Sequence, residues 1–144
     1  MVMAKEVEAI DLILIEKSKR LMSVFHNNKL IKTYKIALGF SPIGHKTKEG
    51  DGKTPEGNYF IAGKNQASKF HLSLKISYPN EKDCKASANP GGDIMIHGLK
   101  PTFSWLGCLH TFMDWTKGCV AVTNEEITEI FNATPIGTRV ELRP

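Results

Sequence analysis

No stretch of this 144-residue sequence approaches the roughly 18 consecutive apolar residues of a membrane-spanning helix, so no integral membrane segment is expected. The opening residues, MVMAKEVEAI, also lack the apolar centre of a secretory signal; the expectation is a cytosolic protein or a processed form. Cysteine is scarce: Cys84, Cys108 and Cys119 make three, with no Cys-x-x-Cys pair. An odd count leaves at least one thiol free within a single chain. Four-ligand zinc spacing is missing around Cys108, His110 and Cys119, so no metal is expected. Strong charge is lacking too. The net charge of +4 is scattered and names no partner, so no nucleic-acid role follows. The basic cluster at residues 17–20 is interrupted by Ser18 and reads as a solvated turn. Repeats, low-complexity tracts and interdomain linkers are absent, which leaves one domain over residues 1–144.

What is present is mostly strand. Residues 9–15 alternate Ile10, Leu12 and Leu14 against Ile13 and Ile15, the pattern of a strand buried on both faces. Residues 21–25 and 30–38 flank HNNK, and an Asn-Asn pair tolerates the positive φ of a tight hairpin. Residues 70–78 set Phe70, Leu72, Leu74, Ile76 and Tyr78 against His71, Ser73, Lys75 and Ser77, a half-buried strand. Further strands are expected at residues 93–97, 120–123 and 138–142. One helix is marked late in the chain: Thr123 caps it, Glu126 completes a capping box, and Ile127, Ile130 and Phe131 form its stripe. Residues 41–55 read as a turn-rich loop in which Glu49 and Asp51 are surface groups. The Gly50-x-Gly52 spacing lacks the strand–helix setting of a nucleotide loop. The fold class is therefore mainly β with minor α, a sandwich or barrel with one late helix.

The chemistry centres on MDWTKGCVAVTNEE, which sets Cys119 where a loop meets a strand. A free thiol is mostly protonated at neutral pH, so nucleophilic use demands a base or charge partner. Of five histidines, His26 and His45 fall in a turn and a loop, and His71 alternates with solvent-facing residues. His97 ends the strand DIMIHG, pointing with Met95 away from Ile94 and Ile96, and Gly98 follows it. Cys119 lies opposite Val120 and Val122, so a strand-end His and a strand-start Cys can meet across a sheet. Gly118 leaves nearby backbone N–H groups open to a developing oxyanion. A lone cysteine is more often a core filler, and a lone histidine more often structural. His110, nine positions before Cys119 (119 − 110), stays a rival base on these grounds.

The ordered motifs NPGGDIMIHG and DWTKGCVAVTNEEI resemble the L,D-transpeptidase catalytic domain, also called YkuD-type. That family carries His-Gly after one strand and Ser/Thr-x-Gly-Cys at the head of another. Here these motifs fall on His97-Gly98 and on Thr116-Lys117-Gly118-Cys119. The likeness spans nearly the whole chain, from IDLILIEKSKRLMSVF through ALGFSPIGHKTKEGDGKTPEGNYFI and ISYPN. Three departures stand out. Val120-Ala121 replaces the family's frequent Ile-Arg, Lys117 takes a place often held by His, and the His97 to Cys119 separation is a long 22 (119 − 97).

The resemblance implies Cys119 as nucleophile, His97 as the base that holds it as thiolate, and Gly118, Gly98 and Thr116 as oxyanion and supporting residues. It implies peptidoglycan stem peptides as partners, no cofactor, and work in the bacterial periplasm or cell envelope. On the same scaffold a carboxypeptidase or amidase outcome stays open. So do a sortase-like transpeptidase, for which Arg139 lies 20 residues on (139 − 119), and a non-catalytic wall-binding module.

Overall fold

A computed structural model describes residues 9–68, 71–99 and 114–144. Its strands in chain order are β1 (Leu12–Glu16), β2 (Leu21–His26), β3 (Lys29–Lys35), β4 (Gly57–Ser68), β5 (His71–Ile76), β6 (Met95–His97), β7 (Val120–Ala121) and β8 (Arg139–Arg143). The helices are α1 (Glu81–Ala86) and α2 (Asn124–Ala133). At the tip of the β2–β3 hairpin, Asn27 and Asn28 both take positive φ, 49° and 65°. A two-residue turn of that hand matches the twist of the flanking strands, so the Asn-Asn pair performs as expected.

All eight strands join one sheet in the order β3-β2-β1-β8-β4-β5-β6-β7. β1 runs parallel to β8, β6 runs parallel to β7, and the other neighbours are antiparallel. The sheet curls until its ends touch. Just past β3, Ala37 exchanges two backbone hydrogen bonds with Ala121 of β7 (3.0 and 2.9 Å), and Gly39 bridges Thr116. The hollow of the curl is filled by Ile13, Ile15, Met22, Val24, Leu74, Ile76, Ile96, Val120 and Val122. The apolar stripe of α2, Ile127, Ile130 and Phe131, packs into the same core. Thr123 and Glu126 cap α2 reciprocally, as the sequence announces. The mainly β class with minor α holds.

Four local readings change. The chain has a second helix: α1 is six residues, four of them charged, with no apolar stripe, and it is set by a capping box between Asn80 and Asp83. β1 is not buried equally on both faces, because Ile13 and Ile15 are fully covered while Leu12 and Leu14 are half-buried. β4, twelve residues long, emerges from a sequence with little alternation. Lys17 is buried rather than solvated. Its ammonium donates to Gly44 O (2.8 Å), Thr54 O (2.6 Å) and Glu56 Oε2 (3.1 Å), which ties the 41–56 loop to the end of β1. Burial lowers its pKa, and Glu56 works against that shift.

Candidate active site

The parallel pair β6–β7 builds the site. Its register sets Ile96 beside Val120 and His97 beside Ala121. Alternation then turns Ile96, Val120 and Val122 into the core and puts Met95, His97, Cys119 and Ala121 on the other face. One step before β7, Cys119 falls level with Met95, whose N–H reaches Sγ at 3.4 Å. His97 and Cys119 therefore share a face of neighbouring strands, two residues apart in register. The face assignment made from the sequence holds.

His97 is buried, with 1% of its surface exposed. Its Nδ1 lies 2.6 Å from Gly98 O. A carbonyl only accepts, so Nδ1 carries the proton and Nε2 holds the lone pair that a base needs. Trp115 meets the imidazole edge-on, centroids 5.9 Å apart at 62°. Gly98 thus contributes a carbonyl that orients the ring, and its N–H binds Leu72 O (3.3 Å).

Two features of the site act on the thiol in the direction of its protonated form. Sγ donates to Asp93 O at 3.2 Å, and burial pushes its pKa up to about 11. The Met95 N–H and the charge of Lys46 pull it down, and Asp93 pushes it up. Asp93 holds φ at 54°, the left-handed region that aims its carbonyl at this point. Burial and a carbonyl to donate to both favour the protonated thiol, whereas the Met95 N–H and Lys46 favour the thiolate.

Thr116 clamps the turn before the cysteine. Its hydroxyl donates to Cys119 O (2.6 Å) and accepts from Gly118 N–H (3.2 Å). That occupies the Gly118 N–H, one of the donors expected to face an oxyanion. Gly118 is needed for space instead. With φ at 133°, a Cβ there would lie 2.7 Å from Lys53 O. Gly39 is tighter still, its Cβ falling 2.1 Å from Gly52 O. The 41–56 loop is pressed onto the cysteine turn with no room for side chains.

Sequence reasoning missed what braces that loop. The Asp51 side chain is only 5% exposed, not a free surface group. Its carboxylate accepts from Lys46 Nζ (3.0 Å), Thr47 N (3.0 Å), Lys48 N (3.1 Å) and Lys53 N (3.0 Å). Burial alone would raise its pKa, but these donors, led by the Thr47 and Lys53 N–H groups, hold it down at about 2. His45 is structural too: Nδ1 accepts from Glu56 N–H (2.8 Å) while Nε2 donates to Asp83 (2.8 Å), which Tyr59 also binds (2.6 Å). The HKTKEGDGK run carried the signal, since an Asp two residues before Lys53 can gather loop N–H groups. His71 and Cys84 are exposed. Cys108 and His110 lie outside the described residues.

A family model for the L,D-transpeptidase catalytic domain matches residues 10–142. The putative L,D-transpeptidase YafK of Escherichia coli is 34% identical over 106 residues, covering 72% of this chain and 37% of that protein. The chain thus spans little more than a third of that relative. Among solved structures, the helical cell shape determining protein Pgp2 of Campylobacter jejuni superposes with a TM-score of 0.72 at 24% identity, over 94% of this chain and 48% of that one. Bd1075 of Bdellovibrio bacteriovorus gives 0.66 at 24%, over 95% and 49%. L,D-transpeptidase 1 of Mycobacterium tuberculosis gives 0.58 at 12%, over 92% and 60%, so these three share the fold. Cysteine and histidine on one face of a parallel strand pair, inside a curled sheet of this topology, thus sit in a chain that belongs to the L,D-transpeptidase catalytic domain family.

Proposed function

We propose that this chain is a cysteine-dependent L,D-transpeptidase acting on peptidoglycan stem peptides, with Cys119 as nucleophile and His97 as its base. The carrying observation is their common face on β6 and β7, with the Nδ1–H of His97 tied to Gly98 O so that Nε2 is the basic atom. Sγ attacks the carbonyl of the L-centred third residue of a stem tetrapeptide as Nε2 takes the thiol proton. The C–N bond to the terminal D-alanine breaks, the Nε2 proton passes to the departing amine, and a thioester remains. An amine of a neighbouring stem then attacks the thioester and gives its proton to Nε2, and the C–S bond breaks as Nε2 returns that proton to Sγ.

Burial pushes the Cys119 thiol up, so in this scheme His97 acts during attack as a general base. The Cys119 N–H, which meets no acceptor among the described residues, is the oxyanion donor of this scheme. Thr116 holds the turn that aims it. The substrate puts the work in the cell envelope.

Mass spectrometry of the protein incubated with purified muropeptides tests the reading. The expected result is an acyl adduct on Cys119, absent in Cys119→Ala, together with crosslinked stems. Trimmed stems alone would assign a carboxypeptidase or amidase. A folded protein giving neither adduct nor altered stems would sink the proposal.

A further inference from the structure

Ser73 is 1% exposed, and its hydroxyl is the buried side-chain oxygen for which no hydrogen-bond partner is found among the described residues. Folded proteins rarely tolerate such a group, because it gives up water and gets nothing back. Its position is specific. The antiparallel register of β5 and β6 places Ser73 directly opposite His97. The bracketing bond from Gly98 N–H to Leu72 O (3.3 Å) makes this the non-hydrogen-bonded kind of pair, in which side chains come closest. The imidazole therefore stands on one sheet face between β7, which carries Cys119, and the orphaned hydroxyl on β5.

We propose that Ser73 is a positioning residue for His97, its hydroxyl kept without a partner so that its oxygen can turn to the ring when the ring becomes charged. The inference rests on the reading of His97 as the base for Cys119. The Nδ1–H is satisfied by Gly98 O, and no partner for the Ser73 hydroxyl is found among the described residues. Once Nε2 takes the Cys119 proton, a buried cation exists where there was none. A hydroxyl is a rotor with two lone pairs and can orient toward that cation without moving the backbone. A dipole fixed beside a developing charge, in a site away from water, stabilises that charge more than solvent would.

Other groups also stand near the ring. On the same face are Cys119 and, opposite Met95, the exposed Lys75 of β5. Asp93 and Lys46 act on the thiol in opposite senses. Asp114, beside Trp115, is held by Arg20 at 2.7 Å, and exposed His71 begins β5 and contacts Thr128 (3.2 Å). None of these is the residue paired with His97 across the antiparallel ladder.

The test reads the His97 ring itself, by NMR titration of its carbon and nitrogen resonances with no substrate present, in wild type, Ser73→Ala and Ser73→Thr. His97→Ala supplies the assignment. Ser73→Ala should lower the His97 pKa by about half a unit to one unit and slow muropeptide turnover about three- to tenfold at pH 7. Its melting temperature should be unchanged or raised, because an orphaned buried hydroxyl is gone. Ser73→Thr, which restores the hydroxyl on a strand-compatible side chain, should return the titration to the wild-type value. An unmoved His97 titration in Ser73→Ala overturns the proposal. So does a shift that Ser73→Thr fails to rescue and that tracks a lowered melting temperature, because that describes packing only. Full turnover by His97→Ala would instead bring down the base reading and with it any catalytic part for Ser73. The two failures are distinguishable, since the ring titration is read without substrate.

Discussion

The two ends of the curled sheet are built by different rules. Around β1, β2, β4 and β8 the ladders are regular, and side chains such as Ile13, Ile15, Val24 and Val140 fill the space between them. Around β6 and β7 the strands are three and two residues long, and the architecture is loops packed backbone to backbone. There the interior holds charges and hydroxyls: Lys46, Asp51, Ser73, His97 and Thr116. One end is stable through volume, the other through close approach and through donors matched to acceptors. A nucleophile needs the second kind, since apolar packing holds shape but supplies no group that can move a proton.

Mutations can sharpen that contrast, and the largest effect should be chemical. Cys119→Ala should abolish turnover on muropeptides while leaving the melting temperature near wild type, and Cys84→Ala, at an exposed thiol, should change neither. His97→Ala follows, with a loss on the order of 10²–10⁴-fold in rate measured on the same substrate. Next come two stability changes of opposite type. At the regular end Ile13→Ala, which deletes fully buried volume, should cost about 2–5 kcal/mol in urea unfolding. At the site end Gly39→Ala adds a single methyl 2.1 Å from Gly52 O and should cost about 3 kcal/mol or more. Should Gly39→Ala prove neutral, the site end is looser than its contacts imply.

Acid should expose the same asymmetry more gently. Asp51, held at about 2 against an ordinary 3.8, contributes stability that is fully present above pH 4 and is lost as the pH falls through 2. Its worth at neutral pH is about 2 kcal/mol. Asp51→Asn should flatten unfolding free energy against pH in that window, and an unchanged acid limb would remove Asp51 from the account. The smallest effect concerns labelling order. At pH 7 iodoacetamide should modify exposed Cys84 ahead of Cys119, whose rate should climb toward pH 11; peptide mapping at short times checks this.

Legibility in the sequence divides along the same line. The Asn27-Asn28 hairpin, the capping box of α2 and the alternation of β5 were readable because each rests on neighbours in sequence. The faces of His97 and Cys119 were readable for the same reason, since period two carries through β6 and β7. The burial of Asp51 and Lys17 was not. Their partners are mainly backbone N–H and C=O groups, which every residue has and no side-chain pattern reveals. The upward push on the Cys119 thiol was hidden too, because it comes first from burial, and the carbonyl that the thiol donates to lies 26 residues earlier. α1 is too short and too polar to show a stripe, and the Ser73–His97 pair exists only through register.

The place of β8 has a consequence for how the molecule comes to exist in time. The last strand in sequence lies in the middle of the sheet, with β1 on one side and β4 on the other, and Leu12 is partnered with Arg139. Until Arg139–Arg143 is made, the hairpin of β1 and β2 and the ribbon of β4 and β5 have no common neighbour to join them. Synthesis must therefore pass the cysteine turn well before the framework that shapes it can close. Pairing residues so distant in sequence makes for slow folding. A ribosome-bound chain stopped before residue 139 should accordingly carry Cys119 without β8 between β1 and β4 to complete the sheet behind it.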